Sequence, residues 1–216
     1  MYDEVEGRSV RDLKPFLMQL NGRERVEMIC IDLSSPYRHL IKRFFPNARI
    51  VADRFHVIRV IQQHFMELFR EVIPEIKNHR GSLAALRTKW ENLTEKRHQK
   101  LRQLFAKSPA AKVIYRQMQK VLELMRKRAR TARQCRKLAS KFLRLIGELQ
   151  RSGIPSMLTL AKTLKSWQEE IACMWRYTKN NGITEGFHRK MKLIQRRAYG
   201  FRNFENYRLR VIAECG

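Results

Sequence analysis

The stretch from Ile58 to Gln150 places the strongest constraint on the fold. Only four of its residues are glycine or proline, namely Pro74, Gly81, Pro109 and Gly147. Its apolar residues recur at intervals of three and four, which places them on one face of an α-helix. We therefore predict a series of packed helices over this stretch. A further helical segment follows Gly153, and we expect its tryptophans, Trp167 and Trp175, to be buried.

The residues before Ile58 show a different pattern. Apolar residues spaced as in a helix follow Ser9, which we predict to be the N-cap. The run "RVEMICIDLS" then predicts a buried strand that ends in an acid. A short helix comes next, with Ser35 as its predicted N-cap and Pro36 at its first position. The run "ARIVADRFHV" predicts a second buried strand. This order predicts an α/β unit with two parallel strands inside a mixed α/β, helix-rich chain.

The charge of the chain points to a polyanionic partner. Its 46 lysines and arginines against 20 acids give a net charge of +26. This excess is larger than solubility requires, and nucleic acid is the leading candidate. An anionic membrane surface is the alternative, but no apolar run approaches the ~20 residues that a spanning helix needs. The polar N-terminal residues do not resemble a signal peptide.

The cysteines give little support for a structural metal. Cys30, Cys135, Cys173 and Cys215 are widely separated, and no pair has the spacing of a zinc site. We interpret them as reduced thiols.

Each predicted strand ends in an aspartate, Asp32 in the first and Asp53 in the second. Open α/β sheets place their sites at the carboxyl ends of their strands. Carboxylates on a rigid element suit Mg²⁺, which requires oxygen ligands in near-octahedral geometry. In the alternative interpretation each acid only caps the turn or helix that follows it.

A third acid, Glu185, stands at the head of a very basic segment. From Gly186 to Arg210 there are eight lysines or arginines and one acid, Glu205. Thr184 is a possible N-cap, so Glu185 would lie in the first turn of a helix, where the helix dipole favours an acid. Two-metal phosphodiester chemistry, however, uses acids on a helix beside acids on strands. Both interpretations of Glu185 remain open from the residues alone.

Two long segments resemble a known family. The segments "ICIDLSSPYRHLIKRFFPNARIVADRFHVIR" and "NGITEGFHRKMKLIQRRAYGFRNFENYRLR" are similar to the DDE transposases of bacterial insertion sequences, in the group written ISL-three. The resemblance runs over essentially the whole chain. It implies a partial ribonuclease-H-like core with a large all-helical insertion. The implied division is core at residues 1–57, insertion at 58–152, and a return to the core with the catalytic glutamate helix at 153–216.

The resemblance also implies roles for individual residues. Asp32 and Glu185 would be catalytic acids and ligands of Mg²⁺ or Mn²⁺, and Asp53 would have a supporting or substitute role. The basic helix would hold the phosphates of DNA through Lys190, Lys192, Arg196, Arg197 and Arg202. The enzyme would cleave and join DNA at the ends of an insertion sequence, as a homo-oligomer in a synaptic complex. It would work in the bacterial cytoplasm, associated with the nucleoid.

One part of the family pattern has no counterpart in this sequence. The first catalytic aspartate of the family lies on a strand that precedes "VEGRS", and we expect the chain to correspond to the C-terminal part of a transposase. Two acids rarely hold two metal ions, so the resemblance does not imply that this chain alone is catalytic. A non-catalytic DNA-binding protein or inhibitor derived from a transposase is the alternative. A helical RNA-binding protein is a third interpretation.

Two further sets of residues suggest nucleic-acid contacts. Between Leu124 and Gly147 there are nine lysines or arginines and no acid. They form either a phosphate-binding face or an ordinary solvated face. The second set consists of aromatic residues among arginines near the C-terminus: Tyr199, Phe201, Phe204 and Tyr207. They form either a platform that stacks on unpaired bases or, as we expect for most of them, core that seats the last helix.

Overall fold

The computed structural model describes residues 5–7, 9–177 and 182–215, while the side chains of residues 182–185, 187, 188 and 215 lie outside this description. Contacts divide the chain into two compact units. One comprises Met1–Asp53 and Lys179–Gly216, and the other comprises Arg54–Thr178. Within the described parts, none of the helices is long and apolar enough to cross a membrane.

The first unit begins with helix α1 (Val10–Gln19), which has the predicted N-cap. The amide of Asp12 donates to Ser9 Oγ at 3.2 Å, and the amide of Ser9 donates to Asp12 Oδ2 at 2.8 Å. This reciprocal pair is a capping box, which satisfies amides that the first helical turn leaves without partners. Helix α1 contacts α2 (Ser35–Phe44) through an apolar face that is only half-buried.

Two strands pair as predicted. Strand β1 (Met28–Ile31) lies parallel to β2 (Arg49–Ala52), with Ile31 opposite Ala52, and α2 connects them. β2 is buried except at Arg49, as expected for a strand covered on both faces. One detail of the prediction is wrong: the N-cap of α2 is Ser34, so Ser35 is already its first helical residue.

The larger ribonuclease-H-like core stays a prediction. In the described residues the sheet has two strands, which is an α/β unit but not a complete core of that type. The predicted division of the chain after residues 57 and 152 also stays a prediction.

The second unit is helical, as predicted. In chain order its α-helices in the described residues are α3 (Arg54–Val72), α4 (Arg80–Arg87), α5 (Glu95–Lys107), α6 (Pro109–Arg126), α7 (Ala132–Arg151), α8 (Pro155–Ser166) and α9 (Gln168–Arg176). The single helical segment expected after Gly153 is two helices, because the backbone leaves helical geometry at Trp167. Trp167 and Trp175 are buried, with 3% and 0% of their surface exposed.

The core of this unit is built around α3. Val57, Ile61, Phe65 and Phe69 recur every four residues and are almost fully buried, so they form one apolar stripe. Helices α6, α8 and α9 contact α3. Their buried residues include Met118, Leu122, Met125, Leu160, Leu164 and Trp175.

The side chain of Arg54 ties the first turn of α3 to the ends of two other helices. Its guanidinium donates to the carbonyls of Met125 at 2.9 Å, Lys127 at 2.8 Å and Met174 at 3.0 Å. These carbonyls lie in the last turns or C-cap of α6 and α9, where no amide of the same helix can satisfy them. Burial, and then the nearby Arg128, lower the pKa of Arg54, but the carbonyls present the negative end of the helix dipoles to its charge.

The chain ends in two helices that pack together, α10 (Gly182–Arg197) and α11 (Phe204–Cys215). Ile194 contributes to their core together with Tyr207 and Val211. After α10 the chain turns at Tyr199, which has a φ of +51°, and its side chain is fully exposed, at 101%. The amide of Gly200 bonds back to the carbonyl of Gln195 at 2.9 Å, as in a helix C-terminal motif that usually has glycine at the left-handed position.

We predict that Arg54→Met lowers the free energy of unfolding by about 2–4 kcal/mol, because three carbonyls lose a charged donor. Urea denaturation followed by circular dichroism measures the change. Arg59→Met, at an exposed site on the same helix, is the matched control and should change stability little. Equal effects of the two substitutions would contradict this role of Arg54.

We predict that Tyr199→Gly raises stability by about 0.5–1 kcal/mol, because glycine adopts a positive φ without steric cost. Tyr199→Ala removes the exposed ring but keeps the strain, so it should leave the melting temperature unchanged. A gain from alanine as large as the gain from glycine would show that the ring, and not the backbone, is unfavourable.

Candidate metal site at the strand ends

Asp32 and Asp53 emerge side by side from the two strands. Each directly follows the last residue of its strand, and those last residues, Ile31 and Ala52, lie opposite each other. The amide of Asp53 donates to the carbonyl of Ile31 at 2.7 Å, which continues the ladder by one step. Because parallel strands end at the same edge of the sheet, the two carboxylates are brought together.

The side chain of His56 lies close to the two acids. One ligand atom from each of Asp32, Asp53 and His56 lies within 4.8 Å of the other two. His56 lies three residues after Asp53, on the first turn of α3, so the local chain alone keeps its ring near that carboxylate. Asp53 is buried, at 3% exposure, whereas Asp32 is accessible to solvent. A ligand could therefore approach the group from the side of Asp32.

Negative charge from the two carboxylates also acts on a neighbouring thiol in β1. Burial, then the carboxylates of Asp53 and Asp32, raise the pKa of the Cys30 thiol from 9.0 to about 11. The carboxylates oppose a further negative charge on the thiol. The same negative charge would favour a cation.

The donors fit a small divalent cation. Two carboxylates supply the oxygen ligands that Mg²⁺ and Mn²⁺ prefer, and an imidazole nitrogen is also acceptable to Mn²⁺. The spacing of their ligand atoms, within 4.8 Å, allows one ion to contact all three residues after small side-chain adjustments. We found no additional group of this kind among the described residues.

The alternative interpretation, in which each acid only caps a helix, fits Asp53 better than Asp32. Helix α2 begins at Ser35 and its N-cap is Ser34, so Asp32 stands outside the cap position. Asp53 directly precedes α3, where the helix dipole favours a carboxylate. The capping interpretation therefore fits the position of Asp53, while Asp32 lies outside the N-cap of α2.

The structure describes the backbone around Glu185 but not its side chain. Helix α10 begins at Gly182, so Thr184 lies inside the helix and the prediction that it is the N-cap is wrong. The side chain of Glu185 lies outside the described residues, and its relation to Asp32 and Asp53 stays a prediction.

The five predicted DNA contacts are all exposed. They are Lys190, Lys192, Arg196, Arg197 and Arg202. The side chains of α10 that pack on α11 centre on Ile194, which leaves the charged side chains to solvent. The ammonium group of Lys190 also donates to the carbonyl of Glu214.

The other two predicted nucleic-acid sets differ in outcome. All nine basic residues between Leu124 and Gly147 are exposed. Of the C-terminal aromatics, Tyr207 is buried, while Phe201 and Phe204 pack partly buried against it. The expectation that most of these rings form core is confirmed for those three, whereas Tyr199 is exposed.

The sequence analysis did not identify His56 as a possible ligand. The signal was present in the spacing, because an acid at a strand end followed three residues later by histidine places both on one side of a new helix.

Comparison with known proteins identifies relatives of this chain. The model of a protein family described as Transposase matches residues 1–211. The transposase for insertion sequence element IS1001 from Bordetella parapertussis is 28% identical over 221 residues, which cover 96% of this chain and 52% of the relative. The chain thus spans about half the length of the curated relative it matches. No solved structure matches the chain significantly.

We predict that Asp32→Asn and Asp53→Asn each weaken Mn²⁺ binding at least about tenfold, because each removes a charged ligand. Water-proton relaxation measures Mn²⁺ binding directly, without any assay of activity. Glu27→Gln is the matched control, since it changes an exposed acid just before the opposite end of β1. Unchanged Mn²⁺ binding in the double aspartate variant would exclude a metal site here.

Proposed function

The chain belongs to the ISL-three family of DDE transposases, and on this premise we propose that it carries acids and a basic surface with which such an enzyme cuts and joins DNA. The observation that supports the proposal most directly is the group formed by Asp32, Asp53 and His56 at the strand ends. Carboxylates that converge at this edge of a parallel sheet are typical of an active site.

In this proposal the acids hold the catalytic cation. Asp32 and Asp53 would be its ligands from the sheet, and His56 would supply a nitrogen ligand or orient Asp53. Glu185 would approach from α10 as a further acid, within a ribonuclease-H-like core. When bound, Mg²⁺ or Mn²⁺ supplies a Lewis acid that polarises the phosphoryl group and makes water nucleophilic.

The reaction proposed is phosphodiester cleavage followed by strand transfer. Water attacks the phosphorus at an end of the element, the bond from phosphorus to the 3′-oxygen breaks, and a 3′-hydroxyl is released. That hydroxyl then attacks a phosphodiester of the target DNA, and the target's own 3′-oxygen leaves. The surrounding cationic residues would hold the element end and the target strand in line with the acids.

The exposed side chains of α10 and the following turn would hold the DNA backbone. Lys192 and Arg196 are four residues apart and thus lie on one helix face, and Arg202 follows in the turn. Contacts of this type are independent of sequence and sensitive to salt. We propose further that the enzyme acts in the bacterial cytoplasm at the nucleoid and assembles as a homo-oligomer on paired element ends.

A non-catalytic DNA-binding protein, which would act as an inhibitor of transposition, is the second candidate. The basic residues between Leu124 and Gly147 favour it, because all nine are exposed and could bind phosphates without the acids.

Cleavage of plasmid DNA in Mn²⁺ separates these functions. We predict that Glu185→Gln and Asp32→Asn abolish cleavage but leave DNA affinity nearly unchanged, because each removes a metal ligand and no phosphate contact. Glu148→Gln, at an exposed site on α7, is the control and should cleave normally. Gel analysis of nicked and linear products, with filter binding in parallel, measures both quantities.

Cleavage by Glu185→Gln at the wild-type rate would show that Glu185 is not a catalytic acid. DNA binding that persists in EDTA, with no cleavage by the wild-type protein in Mn²⁺, would favour the non-catalytic function.

A further inference from the structure

A cavity of about 490 Å³ opens in the helical unit beside the 3₁₀ turn Trp90–Asn92, between α5 and α6. Its aromatic residues are Trp90, Phe105 and Tyr115. The ring centroids of Phe105 and Tyr115 are 5.4 Å apart, and those of Trp90 and Tyr115 are 6.5 Å apart. Trp90 and Phe105 are only half-buried. A volume in the ~300–1,000 Å³ range is typical of pockets for small planar ligands.

A side chain that lines the cavity, Gln119, carries a buried hydrogen-bond acceptor without a partner among the described residues. The carbonyl of Thr88 accepts from the Tyr115 hydroxyl at 2.8 Å and from Gln119 Nε2 at 3.4 Å. Because a carbonyl can only accept, the amide nitrogen of Gln119 must face Thr88. Gln119 Oε1 is buried and has no partner among the described residues. An unsatisfied buried acceptor is unfavourable, and a turn of the Gln119 side chain towards the cavity would bring it within reach of an N–H donor on a ligand.

A row of cations borders the cavity. Lys112, Arg116 and Lys120 line it and are exposed, and their spacing of four residues places them on one face of α6, about 6 Å apart. Two acids also line the cavity, but each is close to a lysine. Glu91 is 2.9 Å from Lys89 Nζ, and Glu123 is 3.4 Å from Lys127 Nζ. The row of three cations is therefore suited to an anionic ligand.

We propose that this cavity receives an unpaired base of a DNA strand whose phosphates lie along Lys112, Arg116 and Lys120. Aromatic rings stack on any base, and a cationic groove follows the backbone, which together form the usual platform for single-stranded nucleic acid. Every base carries an N–H donor that could satisfy Gln119 Oε1. The inference rests on the proposed function, because strand cleavage and transfer expose unpaired bases beside the cut.

The test compares two fluorescein-labelled strands of equal length, one with bases and one made only of abasic spacers. Trp90→Leu should weaken binding of the strand with bases about 5- to 100-fold and leave the abasic strand unchanged. Arg116→Ala should weaken both strands and reduce the slope of log affinity against log salt by about 0.7. Lys162→Ala, an exposed cation on α8 that does not line the cavity, is the control and should have a smaller effect on both.

Trp90→Leu could lose binding because the protein unfolds, so Gln119→Leu serves as a second variant. It removes the unpartnered acceptor, so its melting temperature should stay the same or rise, while its affinity for the strand with bases falls. A fall in affinity without a fall in stability is not expected of a purely structural residue.

Wild-type affinity of both Trp90→Leu and Gln119→Leu for the strand with bases would overturn the proposed pocket. If the wild-type protein still cleaves duplex DNA in that case, the proposed function stands. If the wild-type protein neither cleaves duplex DNA nor binds single-stranded or duplex DNA, both the proposed pocket and the proposed function would be overturned.

Discussion

The helical unit depends on one half-buried charge, the guanidinium of Arg54. Three carbonyls at the ends of α6 and α9 would otherwise lack donors, and Arg54 satisfies all of them from the first turn of α3. The same region is held by Trp175, whose indole donates to the carbonyl of Leu124 at 3.1 Å and whose own carbonyl accepts from Ala129 at 2.9 Å. The positions of three helices are thus set by hydrogen bonds as well as by apolar packing.

The candidate metal site and the structural arginine lie next to each other in the chain. Asp53 ends β2 and Arg54 begins α3, so one residue contributes a carboxylate to the site while its neighbour holds the first turn of the helix. That turn carries His56. A rigid helix start is useful to a metal site, because ligands must be held close to their binding geometry. Negative charge then collects at the strand ends of a chain whose net charge is +26.

Much of the local structure could be predicted because it depends on neighbouring residues. The spacing of apolar residues predicted the series of packed helices, and the runs that contain "ICID" and "IVAD" predicted the strand pair. Errors arose where several choices were locally similar. Ser34 rather than Ser35 caps α2, since adjacent serines are equally good caps. The break at Trp167 was missed because the residues around it include no glycine or proline, which are the usual signals of a helix end.

The sequence by itself determined the helical character, the paired strands with their terminal aspartates, and the charge that suits a nucleic-acid partner. Periodicity, residue type and composition are sufficient for these properties. Only the tertiary structure decided which distant residues meet. It placed Asp32 beside Asp53 and Trp90 beside Tyr115, and among the described residues it left Gln119 Oε1 without a partner. Such contacts join residues far apart in the chain, and their geometry follows from how helices and strands pack, which no local pattern encodes.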